Sequence, residues 1–271
     1  MCLKIFLSKP GIFTLRLEYM SNPTAPWLRN ISEAINSGKV NFPSTNYQGP
    51  PLDPTINNKQ FEEFKKTNSL MTSEKCVNEF LQAWVGAKIP VTEGQSMPKQ
   101  LACFAEILDK ERNIKDILEI GFNAGLSAGT FLSCRSNIKV TSVDVGQHEY
   151  VLQAQKLVQK CFPERLTLII GDSRDVLPQL IRKKEKYDLI FIDGGHDGDI
   201  PFNDLNNALQ LCKPGTLILI DDYHLNIKEY QPDVRAAVQE FIKAGHLVQI
   251  AHFFAENREM GVFKRLHQLE A

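Results

Sequence analysis

Glycines and acids recur where apolar runs of this chain end, and their types point to a ligand site. The stretch ILEIGFNAGLSAG (117–129) passes from β-forming residues through Gly121 and Gly125 into small, helix-compatible ones. A strand, glycine turn and helix start of this kind suits nucleotide-type ligands. The glycines admit close backbone approach, and the free N–H groups of the helix favour an anionic group. Glu119 lies inside the apolar run, where an unpaired charge is costly, so it must meet a ligand or a hydrogen-bond partner. Asp144 ends the next run at a spacing suited to an acid accepting from ribose hydroxyls. Gly171-Asp172-Ser173, Asp193-Gly194-Gly195-His196 and Asp221-Asp222-Tyr223-His224 close the following three. One such acid is often only a helix N-cap, which Asp172 could be, but acids at four successive ends are not a coincidence of capping.

These positions require a regular scaffold, and the sequence supplies one from about residue 91. Apolar runs at 117–122, 139–145, 166–171, 187–193 and 216–221 read as strands. Helical segments fall at 98–110, 124–135, 148–161, 174–185 and 201–212, with a further helix carrying VRAAVQEF (234–241). Near-continuous apolar strands alternating with helices predict a parallel sheet covered on both faces, with ligands outside the carboxyl ends of its strands. VQIAHFF (248–254) and GVFKRL (261–266) are joined too closely to run parallel, so the last strand enters the sheet reversed. Before residue 91 the texture differs. Residues 1–19 read as a loosely docked tail, with Met20 an alternative start, and 20–60 as a proline-rich irregular arm. Residues 60–88 read as amphipathic helix, either a lid over the pocket or a helix packed on the body.

The bulk numbers exclude several classes. Thirty-one Lys and Arg against 32 Asp and Glu leave a net charge of −1, with no global field for nucleic acid or an acidic membrane surface. No apolar run reaches the roughly 18 residues of a membrane span. Six scattered cysteines without a CxxC pair argue against zinc or a disulfide framework and fit a reducing compartment, expected to be the cytoplasm. A homo-oligomer stays open.

In order and spacing, LEIGFNAG, SVDVG, IIGDS, FIDGGH and LIDDYH, closed by an antiparallel hairpin, resemble the class I S-adenosylmethionine-dependent methyltransferases over residues 91–271. Within that class the chain is similar to small-molecule O-methyltransferases of the catechol and caffeoyl-CoA type and of the macrocin type, which carry DGGH and DDY. Glu93-Gly94-Gln95 matches an EGQ of the caffeoyl-CoA type. Asn123 stands where the commoner glycine motif has its second glycine. The resemblance implies a doubly wound, seven-stranded α/β domain at 91–271 behind an N-terminal segment, 1–90. It implies S-adenosylmethionine bound by Glu93, Glu119, Gly121, Asn123, Asp144, Asp172, Ser173 and Asp193. Glu119 and Gly121 would line its methionine part, Asp144 the ribose, and Asp172 with Ser173 the adenine edge. A nicotinamide cofactor would use the same strand and turn, but it normally wants GxGxxG and does not predict the reversed strand.

Asp193, Asp221 and Asp222 at neighbouring strand ends repel one another, and a divalent cation would relieve the repulsion. All-oxygen donors suit Mg²⁺, Mn²⁺ or Ca²⁺ rather than zinc, and the family likeness implies a divalent metal, Mg²⁺ or Mn²⁺. A small-molecule hydroxyl is the expected methyl acceptor. His196 is the expected general base beside Asp193, with His224 as fallback, because a neutral imidazole near pH 7 can take the hydroxyl proton. A protein that binds S-adenosylmethionine without turning it over is the remaining alternative.

Overall fold

The computed structural model describes residues 6–7, 13–14, 73–92, 94, 96, 98–224, 230–255 and 258–266. The arm at 20–60, the first part of the helix expected from 60, and Glu93 lie outside the described residues. Two short strands near the start, β1 (Phe6–Leu7) and β2 (Phe13–Thr14), pair antiparallel on either side of Pro10-Gly11. The sequence reading had only a tail there.

The body alternates helix and strand in the expected order. It comprises α1 (Ser73–Gly86), α2 (Pro98–Lys110), β3 (Asp116–Ile120), α3 (Leu126–Cys134), β4 (Lys139–Asp144), α4 (Tyr150–Cys161) and β5 (Leu166–Ile170). There follow α5 (Ser173–Arg182), β6 (Tyr187–Ile192), α6 (Ile200–Leu211), β7 (Cys212–Ile220), α7 (Pro232–Lys243), β8 (Leu247–Ala255) and β9 (Arg258–Arg265). Seven strands form one sheet in the order β5-β4-β3-β6-β7-β9-β8. The first five pair parallel; β9 runs antiparallel to both neighbours, as expected of the last strand.

Period-two alternation along the central strands builds two cores. Ile117, Leu189, Phe191, Leu217 and Leu219 face one side, with α1 to α4. Leu118, Ile120, Ile190, Ile192, Ile218 and Ile220 face the other, with α5 to α7. Phe104 of α2, Phe131 of α3 and Phe191 of β6 meet with ring centroids 4.9 to 6.0 Å apart, locking the first layer to the sheet.

Of the two readings of the helix before residue 88, the described part packs on the body. Val77, Phe80 and Trp84 of α1 belong to the first core, and Trp84 Nε1 donates to the Ala124 carbonyl at 2.8 Å. Close packing against α3 depends on Gly129, where a Cβ would stand 1.9 Å from the Phe80 ring.

The strand beginning at 212 starts earlier than its apolar run. Cys212 pairs with Tyr187, and an irregularity follows before Leu217 pairs with Leu189. Pro214 lacks an N–H and Gly215 has φ 83°, so regular pairing resumes only beyond them. At the carboxyl ends β3, β6 and β7 stop one residue before Gly121, Asp193 and Asp221, while β4 ends on Asp144 itself. Gly121, Asp193 and Asp221 each make one last N–H bond, to Val143, Ile192 of the adjacent strand or Ile120 as their neighbours dictate: Gly121 to Val143, Asp193 to Ile120 and Asp221 to Ile192. The main chain therefore leaves the sheet at fixed, adjacent points.

Candidate active site

A cleft of about 620 Å³ opens across these strand ends, within the range of small-molecule sites. One half is lined by the glycine turn, Asp144, Val145, Gly171, Asp172 and Ser173. The other is lined by Asp193 to Asp197, Asp221, Asp222, Tyr230 and Gln231.

The glycine turn is shaped by contacts that only its residues permit. Gly121 has φ 95°, and a Cβ there would lie 1.9 Å from the Asp193 carbonyl oxygen. Gly125 has φ 72° and precedes α3, where a Cβ would come 2.8 Å from the Phe122 ring. Asn123 also sits at positive φ, 46°, and its side-chain amide donates to the Gly94 carbonyl, tying the segment before α2 over the turn.

Asp144 faces the cleft and also builds its wall. Its Oδ2 accepts from the N–H groups of Phe122 (3.0 Å) and Asn123 (2.8 Å), and its Oδ1 from Gly146 at 2.7 Å. Three of about four lone-pair sites on the carboxylate are thereby engaged by backbone. Asp172 caps α5, accepting from the Arg174 N–H at 2.9 Å and pairing with its guanidinium at 2.7 Å; those bonds hold its carboxyl below the usual range. Neighbouring Ser173 reaches toward Asp204, whose carboxyl is buried and pushed up to about 6.

Glu119 is fully buried beneath the turn rather than on the cleft wall. It accepts from the hydroxyls of Ser127 on α3 and Ser142 on β4. Burial outweighs the two serines and raises its pKa from 4.5 to about 8. Between those values the folded chain holds a proton that the unfolded chain has released, so this group makes stability fall as pH rises through the window. Glu119→Gln should flatten that slope by one proton, read from denaturant midpoints across the range. An unchanged slope would place the proton elsewhere.

The acidic half gathers Asp193, His196, Asp221 and Asp222, with no Lys or Arg among the described residues that line the cleft. Donor atoms of Asp193, His196 and Asp222 all lie within 4.8 Å of one another. His196 Nε2 is 3.3 Å from Asp222 Oδ2 and 3.7 Å from Asp193 Oδ1, close enough for ion pairing but not aligned as hydrogen bonds. The flanking carboxylates, Asp193 first, outweigh burial and raise the His196 pKa. Asp221 sits beside the same groups, and its Oδ1 is buried without a hydrogen bond. Burial, then Asp193 and Asp222, push its carboxyl well above the ordinary range. Asp222 adopts φ 54°, a left-handed conformation that costs an ordinary residue about 1–2 kcal/mol. An orphaned buried carboxylate oxygen beside two more acids fits a divalent cation, and His196 would add a nitrogen to the donors.

The structure thus brings Asp193, His196, Asp221 and Asp222 together, and Gly121, Asn123, Asp144, Asp172 and Ser173 around the other half. His224, the fallback base, is buried behind Asp222, its ring tilted at 52° against that of Tyr230 with centroids 4.3 Å apart. It does not line the cleft. Sequence reasoning missed Gln231, whose Nε2 lies 3.2 Å from His196 Nδ1. Its only sequence signal is a position just before Pro232, the first residue of α7.

Residues 118–223 match the family model described as a methyltransferase domain. An O-methyltransferase of Aspergillus flavus, imqG, is 23% identical over 114 residues, 40% of this chain and 45% of that one. The catechol O-methyltransferase of Sus scrofa is 24% identical over 116 residues, 42% of this chain and 62% of that one. The chain spans about half the length of the curated relatives it matches. A solved structure of the O-methyltransferase from Bacillus cereus in complex with SAH superposes with a TM-score of 0.56 at 18% identity, covering 78% of this chain and 100% of that one. The shared fold is the Rossmann-like one of the class I methyltransferases.

Proposed function

We propose, from the premise that this chain carries a class I methyltransferase domain, that it moves a methyl group from S-adenosylmethionine to a hydroxyl of a small molecule. The observation that carries this reading is a single cleft with a glycine-turn half and an acid–histidine half meeting at Gly121 and Asp193. Bound there, S-adenosylmethionine supplies an electrophilic methyl, and a divalent cation on the acids would lower the pKa of a hydroxyl beside it.

The chain's own residues supply the rest. The turn at Gly121 to Gly125 and the start of α3 receive the cofactor's charged end. Asp144 fixes that turn and offers its remaining lone pair to the ribose. Asp193, Asp221 and Asp222 would hold Mg²⁺ or Mn²⁺ and orient the acceptor oxygen in line with the methyl. His196 takes the hydroxyl proton at Nε2. All five cysteines among the described residues are buried and outside any disulfide, which supports work in a reducing compartment such as the cytoplasm. Among the described residues, no helix is long and apolar enough to cross a membrane.

S-adenosylhomocysteine should raise the melting temperature, as any ligand of the native state must. Asp144→Ala should weaken its binding by at least about 1.5–3 kcal/mol, the contribution of a hydrogen bond to a charged acceptor, and the loss of the turn's anchor adds to it. Calorimetric titration checks both. Stabilisation by NAD⁺ but not by S-adenosylhomocysteine would move the chain to the oxidoreductases.

A further inference from the structure

Asn123 holds a backbone conformation for which glycine is the least strained residue, with φ 46° in the turn that leads into α3. Asparagine is among the few residues with a Cβ that enter this region routinely, so the turn tolerates it. The backbone here is already fixed by Asp144, which accepts from the Phe122 and Asn123 N–H groups. What the side chain adds is a bond on the rim of the cleft, from its Nδ2 to the Gly94 carbonyl. Gly94 has positive φ as well, 44°, and a Cβ there would stand 3.3 Å from Asn123 Nδ2. The absent side chain at 94 leaves the amide its room.

The segment that receives this bond is anchored on either side of it. Val91 is buried in the first core, and Gln100, in the first turn of α2, is buried as well. Between them Gly94 is exposed to solvent, while both Gly94 and Ser96 line the cleft. The chain here is a wall one segment thick, with water outside and the ligand space inside. α1, which leads into it, is tied to the next residue of the same turn through Trp84 Nε1 and the Ala124 carbonyl. Trp84 and the Gly94 carbonyl thus reach successive residues of one turn. The Trp84 bond is buried, whereas the Asn123 bond is exposed. Exposed bonds with few apolar contacts around them are the ones that open locally, so the rim opens at Asn123 while α1 stays in place.

We propose that Asn123 is a positioning residue that latches the segment carrying Gly94 and Ser96 over the cofactor, so that S-adenosylmethionine enters and S-adenosylhomocysteine leaves only when this bond opens. The inference rests on the reading of the cleft as an S-adenosylmethionine site, and the experiment separates the two. Association and dissociation rates of S-adenosylhomocysteine are read on the immobilised full chain by surface plasmon resonance. Asn123→Gly keeps the left-handed backbone and removes the latch. Both rates should rise roughly three- to tenfold, the weight of one hydrogen bond, while Kd moves less than either rate. A side chain that only touched the cofactor would change dissociation alone, and one that only supported the fold would lower the melting temperature without speeding association. Asn123→Asp keeps the shape and the left-handed preference but presents only acceptors to the Gly94 carbonyl. It should show the same rise in both rates, and it carries the test if the glycine variant does not fold. Wild-type rates, faster dissociation alone, or a lower melting temperature with association unchanged would overturn the latch. A wild type that does not bind S-adenosylhomocysteine would overturn the cofactor reading, and the latch with it.

Discussion

Replacing His196 by alanine should slow methyl transfer about 10²–10⁴-fold, the usual contribution of a positioned general base. Cofactor binding should be unchanged, because the residues around the glycine turn do not depend on the imidazole. The geometry also gives this substitution a second reading to decide. His196 Nε2 lies 3.3 Å from Asp222 Oδ2, so the ring stands where it could ligate a cation as well as accept a proton. One imidazole lone pair cannot do both at once. As a base, His196→Ala leaves the metal concentration needed for half-activity in place, and the loss shrinks at high pH or with a more acidic phenolic acceptor. As a ligand, the variant needs more metal, and excess Mn²⁺ restores its rate. Chelation of the wild type should remove most activity, with Mg²⁺ or Mn²⁺ restoring it. Activity indifferent to chelators would end the metal role and leave His196 with the acids alone.

Gly121→Ala should be the most damaging single methyl in the site. The added carbon would lie 1.9 Å from the Asp193 carbonyl oxygen and 2.6 Å from its carbon, and both are backbone atoms of the next strand's end. The φ of 95° would add strain of its own. Since neither atom can rotate away, β3 and β6 must separate at the point where both halves of the cleft meet. A destabilisation of roughly 4 kcal/mol or more is expected, large against a typical total of about 5–15 kcal/mol. A melting-temperature drop of about 10 °C, with loss of the S-adenosylhomocysteine shift, would register both effects. A variant that melts like the wild type would mean that the turn relaxes freely and that Gly121 is not tied to Asp193.

The scaffold was legible because the signals that specify it are local and repeated. Apolar runs of strand length alternated with helical stripes, and the acids stood at their ends. The carboxyl ends of the five parallel strands were read one or two residues long, whereas β7 and β9 begin before the apolar runs that marked them, at Cys212 and Arg258. Glu119 illustrates the limit on side-chain roles. The sequence required a partner for a charge in an apolar run, and two serines from different elements supply it, yet no spacing could foretell that Ser127 and Ser142 would converge beneath the turn. Gln231 escaped notice for a similar reason. It lies 35 residues from His196 with no pattern joining them, and its backbone conformation is set by the ties of α7 to two loops. Asp144 was read as a ribose acceptor from its spacing, and its three backbone bonds add a task that spacing could not reveal.

The strand order has a consequence for how the chain is made. β9 lies between β7 and β8, so among the described residues β8 pairs only with a strand that follows it in sequence. During synthesis, β7 leaves the ribosome with an open edge, and β8 emerges next without a place to dock. Both wait until residues 258–265 have been added and can slide between them. For that interval the growing chain displays unpaired strand edges, the kind of surface that recruits chaperones or like strands from neighbouring chains. The sheet therefore closes only when β9 pairs with both neighbours. A chain lacking β9 would hold the cofactor half of the cleft while leaving the edge of β7 beside Asp221 unsealed.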